Sequence, residues 1–401
     1  MSAAQSPTAD DPRSRAARWL AAWDAQGIHR TGTAGDDRGA EWLAREAAAF
    51  GVEPAIEQFA LDRLDPVAAY LEIDGRRIDA VPVFDAPATG PDGIVGRLGA
   101  IGTASVQTGG EIAVAEWSPQ AVYRGESIRL RRAGGHAGLV VICTGDRPGM
   151  GLLNAEQFGE PYGAPAIHVA SEAREAILAA VWQGKSARLV ADSRRTAARA
   201  ANVVVTLGRR DRRAASVRRP RLVVMTPRSS WWQSTAERGG GIVCWLESLR
   251  ALVVDPPSGE VILTANSGHE LGHLGLDDFI ARRPGWDRPV DQGGAVWVHY
   301  GANIGAAGGA LSLVSASDEL RALAQRELAG AGRPADVVAP KTLVPSGETR
   351  DIHRAGGAYA TLVGSNPLFH LPQDRWPDAV DVDTVARVAA AAARMVGVLA
   401  G

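Results

Sequence analysis

Only two cysteines, Cys143 and Cys244, occur in 401 residues. That is too few for a disulfide framework, which sets aside the small cross-linked secreted folds and points to a reducing compartment. Lysine is nearly absent too: the 43 basic residues include just Lys185 and Lys341, leaving 41 arginines. The bias does not make a basic protein, because 45 acidic residues bring the formal net charge to −2. A near-neutral chain has no global field to draw in polyanions. No stretch approaches 18 consecutive apolar residues, and Met1 to Arg18 lacks the apolar run of a signal peptide. A soluble, cytoplasmic protein with no membrane and no nucleic-acid partner is expected. What is present, 46% hydrophobic and 22% charged residues, suffices for one large or two modest globular domains and excludes disorder.

Apolar spacing predicts helices over Ala16–Gln26 and Gly39–Gly51, followed by a hairpin over Val67–Val81 that turns at Asp74-Gly75. From about residue 89 to 191 short apolar runs are broken by glycine, as in Gly138-Leu139-Val140-Val141-Ile142, and read as a compact strand-rich insert with a helix near Ala170–Gln183. Ten arginines lie between Arg194 and Arg221. No aromatic residue is interleaved there to stack bases, so a solvated hairpin over Leu207–Leu222 is expected instead of a nucleic-acid patch. Beyond it, apolar strands (221–225, 260–265, 295–300, 359–363) alternate with helices (241–254, 277–283, 317–328, 382–399). That alternation predicts an α/β fold, a mostly parallel mixed sheet covered by helices, with chemistry in the loops at strand ends.

Five of eight histidines (His269, His273, His299, His353, His370) fall in the last third, and imidazole is both a common metal ligand and a usual general base. His269-Glu270-Leu271-Gly272-His273 matches H-E-x-x-H, the pattern that sets two zinc-binding histidines on one helical face. Its context is a strand and a turn, and Gly272 weakens any helix. The helical zinc site therefore stands as a minor alternative.

The wider segment Ser267-Gly268-His269-Glu270-Leu271-Gly272-His273-Leu274-Gly275 resembles the G-E-E-x-G-L-x-G loop of the zinc aminopeptidase and glutaminyl cyclase family. Other landmarks follow in order. Glu237-Arg238-Gly239-Gly240-Gly241 resembles D-N-x-S-G, Phe369-His370-Leu371-Pro372-Gln373-Asp374 resembles Y-H-T-P-x-D, and His29-Arg30-Thr31-Gly32-Thr33-Ala34-Gly35 resembles the opening R-x-x-G-S-x-G loop. The resemblance implies a zinc exopeptidase-like domain in two parts, 1–88 and 192–401, with 89–191 as a protease-associated-like insert. It also implies that Glu237, Glu270 and His370 hold one divalent ion, zinc by family, while His269 stands at the general-base position and moves protons. The family's H-x-D segment falls on Thr226-Pro227-Arg228 and its last Asp ligand near Ala302, so one of two metal positions has lost its own ligands.

Arg228, Trp231, Trp232, Asp351 and His353 are expected to shape substrate binding. A hydrophobic lid or plain core packing remains open for the two tryptophans, and a loop cap remains open for Asp351 and His353. His136 is expected to be structural, as are His273 and His299, with completion of an altered metal site as the alternative for the last two. The expected activity is hydrolysis of an amide or peptide bond in a small molecule or short peptide, possible as a homo-oligomer. Its rivals are an inactive peptidase-like binding protein and a single-metal cyclase or acyl transferase.

Overall fold

The computed structural model describes residues 11–101, 111–122, 125–208 and 220–401. Helices α1 (Pro12–Asp24) and α2 (Ala34–Ala48) open the chain. Asp11 caps α1 by accepting from the Arg13 and Ser14 amides, and Pro12 fills the first helical position, where no amide is needed. Strands β1 (Ala55–Ile73) and β2 (Arg76–Pro82) then meet at Asp74-Gly75, both at positive φ, as an Asp-Gly hairpin turn requires. There follow β3 (Ile94–Ala100), β4 (Ile112–Trp117), α3 (Glu126–Ala133), β5 (Gly138–Cys143), β6 (Ala166–Val169), α4 (Arg174–Trp182) and the long β7 (Ser186–Leu207). The last part holds β8 (Arg221–Pro227), α5 (Gly240–Val254), β9 (Val261–Asn266), α6 (Leu274–Arg282), β10 (Ala295–Tyr300), β11 (Leu311–Val314), α7 (Asp318–Gly330), β12 (Val337–Val338), α8 (Thr349–Arg354), β13 (Ala358–Gly364) and α9 (Val382–Ala400).

The ribbon of β1 and β7 organises the molecule. The two strands pair antiparallel from Ala55 opposite Val204 to Ile73 opposite Ala187, with one register shift between Pro66 and Ala68. One end of β7 joins β9 and the other joins β3, so the ribbon belongs to two sheets. The larger sheet runs β7-β9-β8-β10-β13-β11-β12, and its central strands β9, β8, β10 and β13 are parallel. The smaller runs β1-β2-β6-β5-β4-β3.

Period-two alternation sorts the larger sheet's side chains onto two covered faces. Val203, Val205, Leu222, Val224 and Val298 pack under α1, α2, α5 and α9. Val204, Val223, Met225 and Trp297 pack against Phe279 of α6 and Ile352 of α8. The smaller sheet has its own core from Leu71 through Val140 and Ile167 to Ala191, so it draws in the β1–β2 hairpin that precedes residue 89.

The hairpin expected over Leu207–Leu222 falls mostly outside the described residues, and the strands on either side of it, β7 and β8, are not neighbours in the sheet. β9 lies between β7 and β8 and pairs with both, because its six residues are buried on both faces and belong mid-sheet. Residues 209–219 lie outside the described residues.

Two histidines are built into this core as neutral groups. His29 stacks on Trp23 with ring centroids 3.6 Å apart and places Nδ1 3.2 Å from the Gln233 carbonyl, while His168 lies within β6. Burial lowers both to a pKa of about 3. Between the ordinary value near 6.5 and that point the unfolded chain binds protons the folded chain refuses, so stability falls as pH falls through the window. Urea titrations from pH 6.5 to 4 are expected to lose up to about 1.4 kcal/mol per pH unit for each of the two. His168→Gln should flatten that slope by one proton, and an unchanged slope would place the acid lability elsewhere.

Candidate active site

His269 and His273 follow the carboxyl end of β9, His299 is the next-to-last residue of β10 and His370 follows β13, the side of these parallel strands where ligand sites form. After β9 the chain makes a single 3₁₀ turn, His269–Leu271, bracketed by Gly268, Gly272 and His273 at φ of 85°, 81° and 68°. A Cβ on Gly272 would stand 2.9 Å from the Glu156 carbonyl, so glycine is required. The H-E-x-x-H segment is therefore a folded loop and not a helix. Its two imidazoles still converge, with ring centroids 5.3 Å apart.

The carboxylates picked out by the family resemblance are placed differently from one another. Glu270 is turned into the scaffold: Oε1 accepts from the Thr31 amide and hydroxyl at 2.8 and 2.7 Å, and Oε2 from Ser229 Oγ at 2.6 Å. With its oxygens committed, it is a structural tie and not a free metal ligand. Glu237 does reach His370, with Oε1 3.4 Å from Nε2. A five-residue π-helical turn, Thr235–Gly239, presents it, and the Asp374 carboxylate clamps that turn through the Ala236 and Glu237 amides. The same Oε1 is 2.6 Å from Nη2 of Arg238. Burial would raise the Glu237 carboxyl, but the Arg238 charge and His370 override it and hold it at about 2. A divalent ion held by that oxygen would be repelled by the guanidinium charge already beside it.

Arg228 is likewise spent inside. Its Nη1 donates to the Asp36 carboxylate at 2.7 Å and its Nη2 to the Ala201 carbonyl, with both side chains of the pair fully buried. Burial pushes Asp36 up to about 6 against the pull of Arg228, so at neutral pH the pair is ionised and closed to substrate. Thr226 donates to the Tyr300 carbonyl at 2.8 Å.

A different donor set is assembled. Ligand atoms of His269, His273 and Glu348 lie within 4.8 Å of one another, all three residues buried. His269 Nδ1 is 2.9 Å and His299 Nε2 3.5 Å from Glu348 Oε2. None of these nitrogens, nor His273 Nε2, nor either oxygen of Glu348, makes a hydrogen bond. Buried polar atoms cost free energy unless they are satisfied, and this convergent set is one a cation would satisfy. Behind them, His273 Nδ1 is 2.7 Å from Asp351 Oδ2, the carboxylate–imidazole pairing that fixes the tautomer of metal-binding histidines. Burial lowers His269, with Arg238 adding to the effect, and favours the neutral ring. Burial would also lower His273, but the bond to Asp351 reverses it, so an ion at Nε2 would compete with a proton. Glu348 is held well below the ordinary carboxylate range, its burial outweighed by the facing imidazoles.

His269 and His299 form part of the wall of a 380 Å³ cleft that Asn303 and Phe369 also line, with Gln120 and Asp146 reaching in from the smaller lobe. Trp231 packs on Phe84 at 4.6 Å and donates to Asn154, so it is core packing between the lobes. Half-buried Trp232 donates to the His370 carbonyl. His353 pairs with the Tyr359 hydroxyl, away from the cleft lining. Glu348 escapes sequence reasoning: it stands 75 residues beyond His273 in an irregular Ser-Gly-Glu stretch, and only Gly347 at φ 69° and the acid-bearing turn after it mark the place.

No protein-family model matches the chain and no curated relative is found by sequence. Solved structures do resemble it. A zinc aminopeptidase from Bacillus subtilis, BSAP, superposes with a TM-score of 0.73 at 17% identity, covering 96% of this chain and 95% of that one. A peptidase M28 precursor from Shewanella amazonensis gives 0.72 at 13% identity, covering 97% of each chain, and an aminopeptidase from Aneurinibacillus sp. strain AM-1 gives 0.66 at 15%, covering 95% and 92%. At such identities the likeness is one of fold: the chain is built on the fold of the zinc aminopeptidases and M28 peptidases, the group its motifs resemble in their order.

Proposed function

We propose that the protein is a metal-dependent hydrolase that cleaves an amide or peptide bond in a small molecule or short peptide, using one divalent ion, zinc by the nature of its donors. The observation that supports this best is the meeting of His269, His273 and Glu348, all buried, beside a cleft that His269 lines on an aminopeptidase fold. Two imidazoles and a carboxylate are the protein ligands of many catalytic zinc sites. When bound, such an ion polarises a carbonyl and lowers the pKa of water.

The chain's own groups supply the rest. Asp351 takes the Nδ1 proton of His273 in a hydrogen bond and so turns the Nε2 lone pair toward the site. Thr361 Oγ1 donates to Thr349 Oγ1, which leaves the Thr349 proton for His299 Nδ1 and places the His299 proton on Nε2, 3.5 Å from Glu348 Oε2. The cleft wall formed by Phe369 and by Gln120 and Asp146 of the smaller lobe orients the substrate and narrows the access of bulk water.

Metal analysis by plasma mass spectrometry on protein purified without chelator or tag should find about one ion per chain. The ion should be lost in His273→Ala and Glu348→Gln but kept in His370→Ala; the opposite pattern would move it to Glu237 and His370. Hydrolysis of a panel of aminoacyl anilides and dipeptides should vanish on chelation and return with zinc, and turnover that survives chelation overturns the reading. Glu270→Gln should leave metal content unchanged and lower stability by about 2 kcal/mol, because a buried carboxylate loses charge-assisted bonds.

A further inference from the structure

A second buried group adjoins this centre. Glu237, Arg238 and His370 are at most 1% exposed, and five of their polar atoms have no hydrogen-bond partner: both oxygens of Glu237, Nη1 and Nη2 of Arg238, and Nε2 of His370. His370 Nδ1 donates to the Leu152 carbonyl at 2.6 Å, and its Nε2 faces Glu237 Oε1 at 3.4 Å. A carboxylate buried this fully needs a compensating positive charge. Here the chain supplies it: Nη2 of Arg238 is 2.6 Å from the same oxygen, and Nε is anchored at 2.8 Å on the Ser229 carbonyl. Ser229 is itself fixed by its hydroxyl to Glu270. The guanidinium is thus held from both sides in a closed space, and arginine keeps its charge at every working pH.

We propose that Arg238 is a built-in cation standing where Glu237 and His370 would otherwise hold a metal ion, so that the chain takes one exchangeable ion at His269, His273 and Glu348 and is barred from a second. This deepens the single-ion reading above and rests on it for the count of one. A carboxylate and an imidazole with unpaired ligand atoms are ordinary divalent-cation donors, and what excludes the ion is charge and volume already in place. Arg238 is a positioning residue in this account: it fixes the Glu237 carboxylate and keeps a permanent positive charge beside the centre.

The test counts zinc per chain by equilibrium dialysis and plasma mass spectrometry. Wild type is expected to hold about one zinc, Arg238→Ala about two, and Arg238→Ala/His370→Ala about one again. Arg238→Lys should stay at about one because the ammonium keeps the charge. Arg238→Ala remaining at one, with wild-type circular dichroism and urea midpoint, overturns the proposal. If Arg238→Ala does not fold, zinc-edge anomalous scattering from wild-type crystals soaked in excess zinc decides: a peak beside His273 and none at Glu237 is required, and a peak at Glu237 overturns it. A wild type without zinc beside an Arg238→Ala that binds one at His370 would remove the hydrolase reading while leaving the role of Arg238 standing.

Discussion

The buried Glu270 carboxylate is the tie on which the geometry of the site depends. Its two oxygens draw together Thr31 from the loop before α2 and Ser229 from the loop after β8, while its carbonyl accepts the Ala155 amide of the smaller lobe. The Gly268 amide then donates to the hydroxyl oxygens of Ser229 and Thr31. A carboxylate held by three donors is stable in a dry environment only because each is present. Four segments distant in sequence are thereby locked in one arrangement, and the imidazoles on either side inherit their positions from it. Asp36 and Arg228 repeat the device one layer further in, where Asp36 accepts from the Gly32 amide and from Ser267.

Charge compensation explains which acid is available for chemistry. Asp36 has Arg228 and Glu237 has Arg238, each pair fully buried, and Glu270 has neutral donors enough to satisfy it. Glu348 is also buried, but it faces imidazoles and no guanidinium. A buried carboxylate compensated by neutral or weakly basic rings leaves room for a cation that a guanidinium would exclude.

Much of the fold was legible because it rests on local periodicity. The short apolar runs of β8, β9 and β10 and the helical spacing of α5 and α9 are short-range patterns, and the Asp74-Gly75 turn declares its own geometry. The β1–β7 ribbon was not legible, since its register is set by pairings more than a hundred residues apart. The site divides the same way. His269 and His273 were visible as a motif and His370 as part of an ordered set, but the motif implied a helix, and three left-handed residues replace it with a loop that still brings the rings together. Glu348 and the commitments of Glu270 and Arg228 are long-range facts that no spacing encodes.

The departures from the family pattern are not vacancies. The Thr226 hydroxyl closes a bond to the Tyr300 carbonyl, the Arg228 guanidinium has a preformed carboxylate partner in Asp36, and the Arg238 guanidinium stands against Glu237. Loss of ligands by drift would leave unpaired buried polar groups at these positions, each costing stability. Thr226 and Arg228 instead make bonds to the Tyr300 carbonyl and to Asp36, while Glu348 faces only the imidazoles of His269 and His299 among its described ion pairs. A scaffold that pairs its substituted positions internally while leaving a buried carboxylate among imidazoles beside a cleft keeps that carboxylate for a cation.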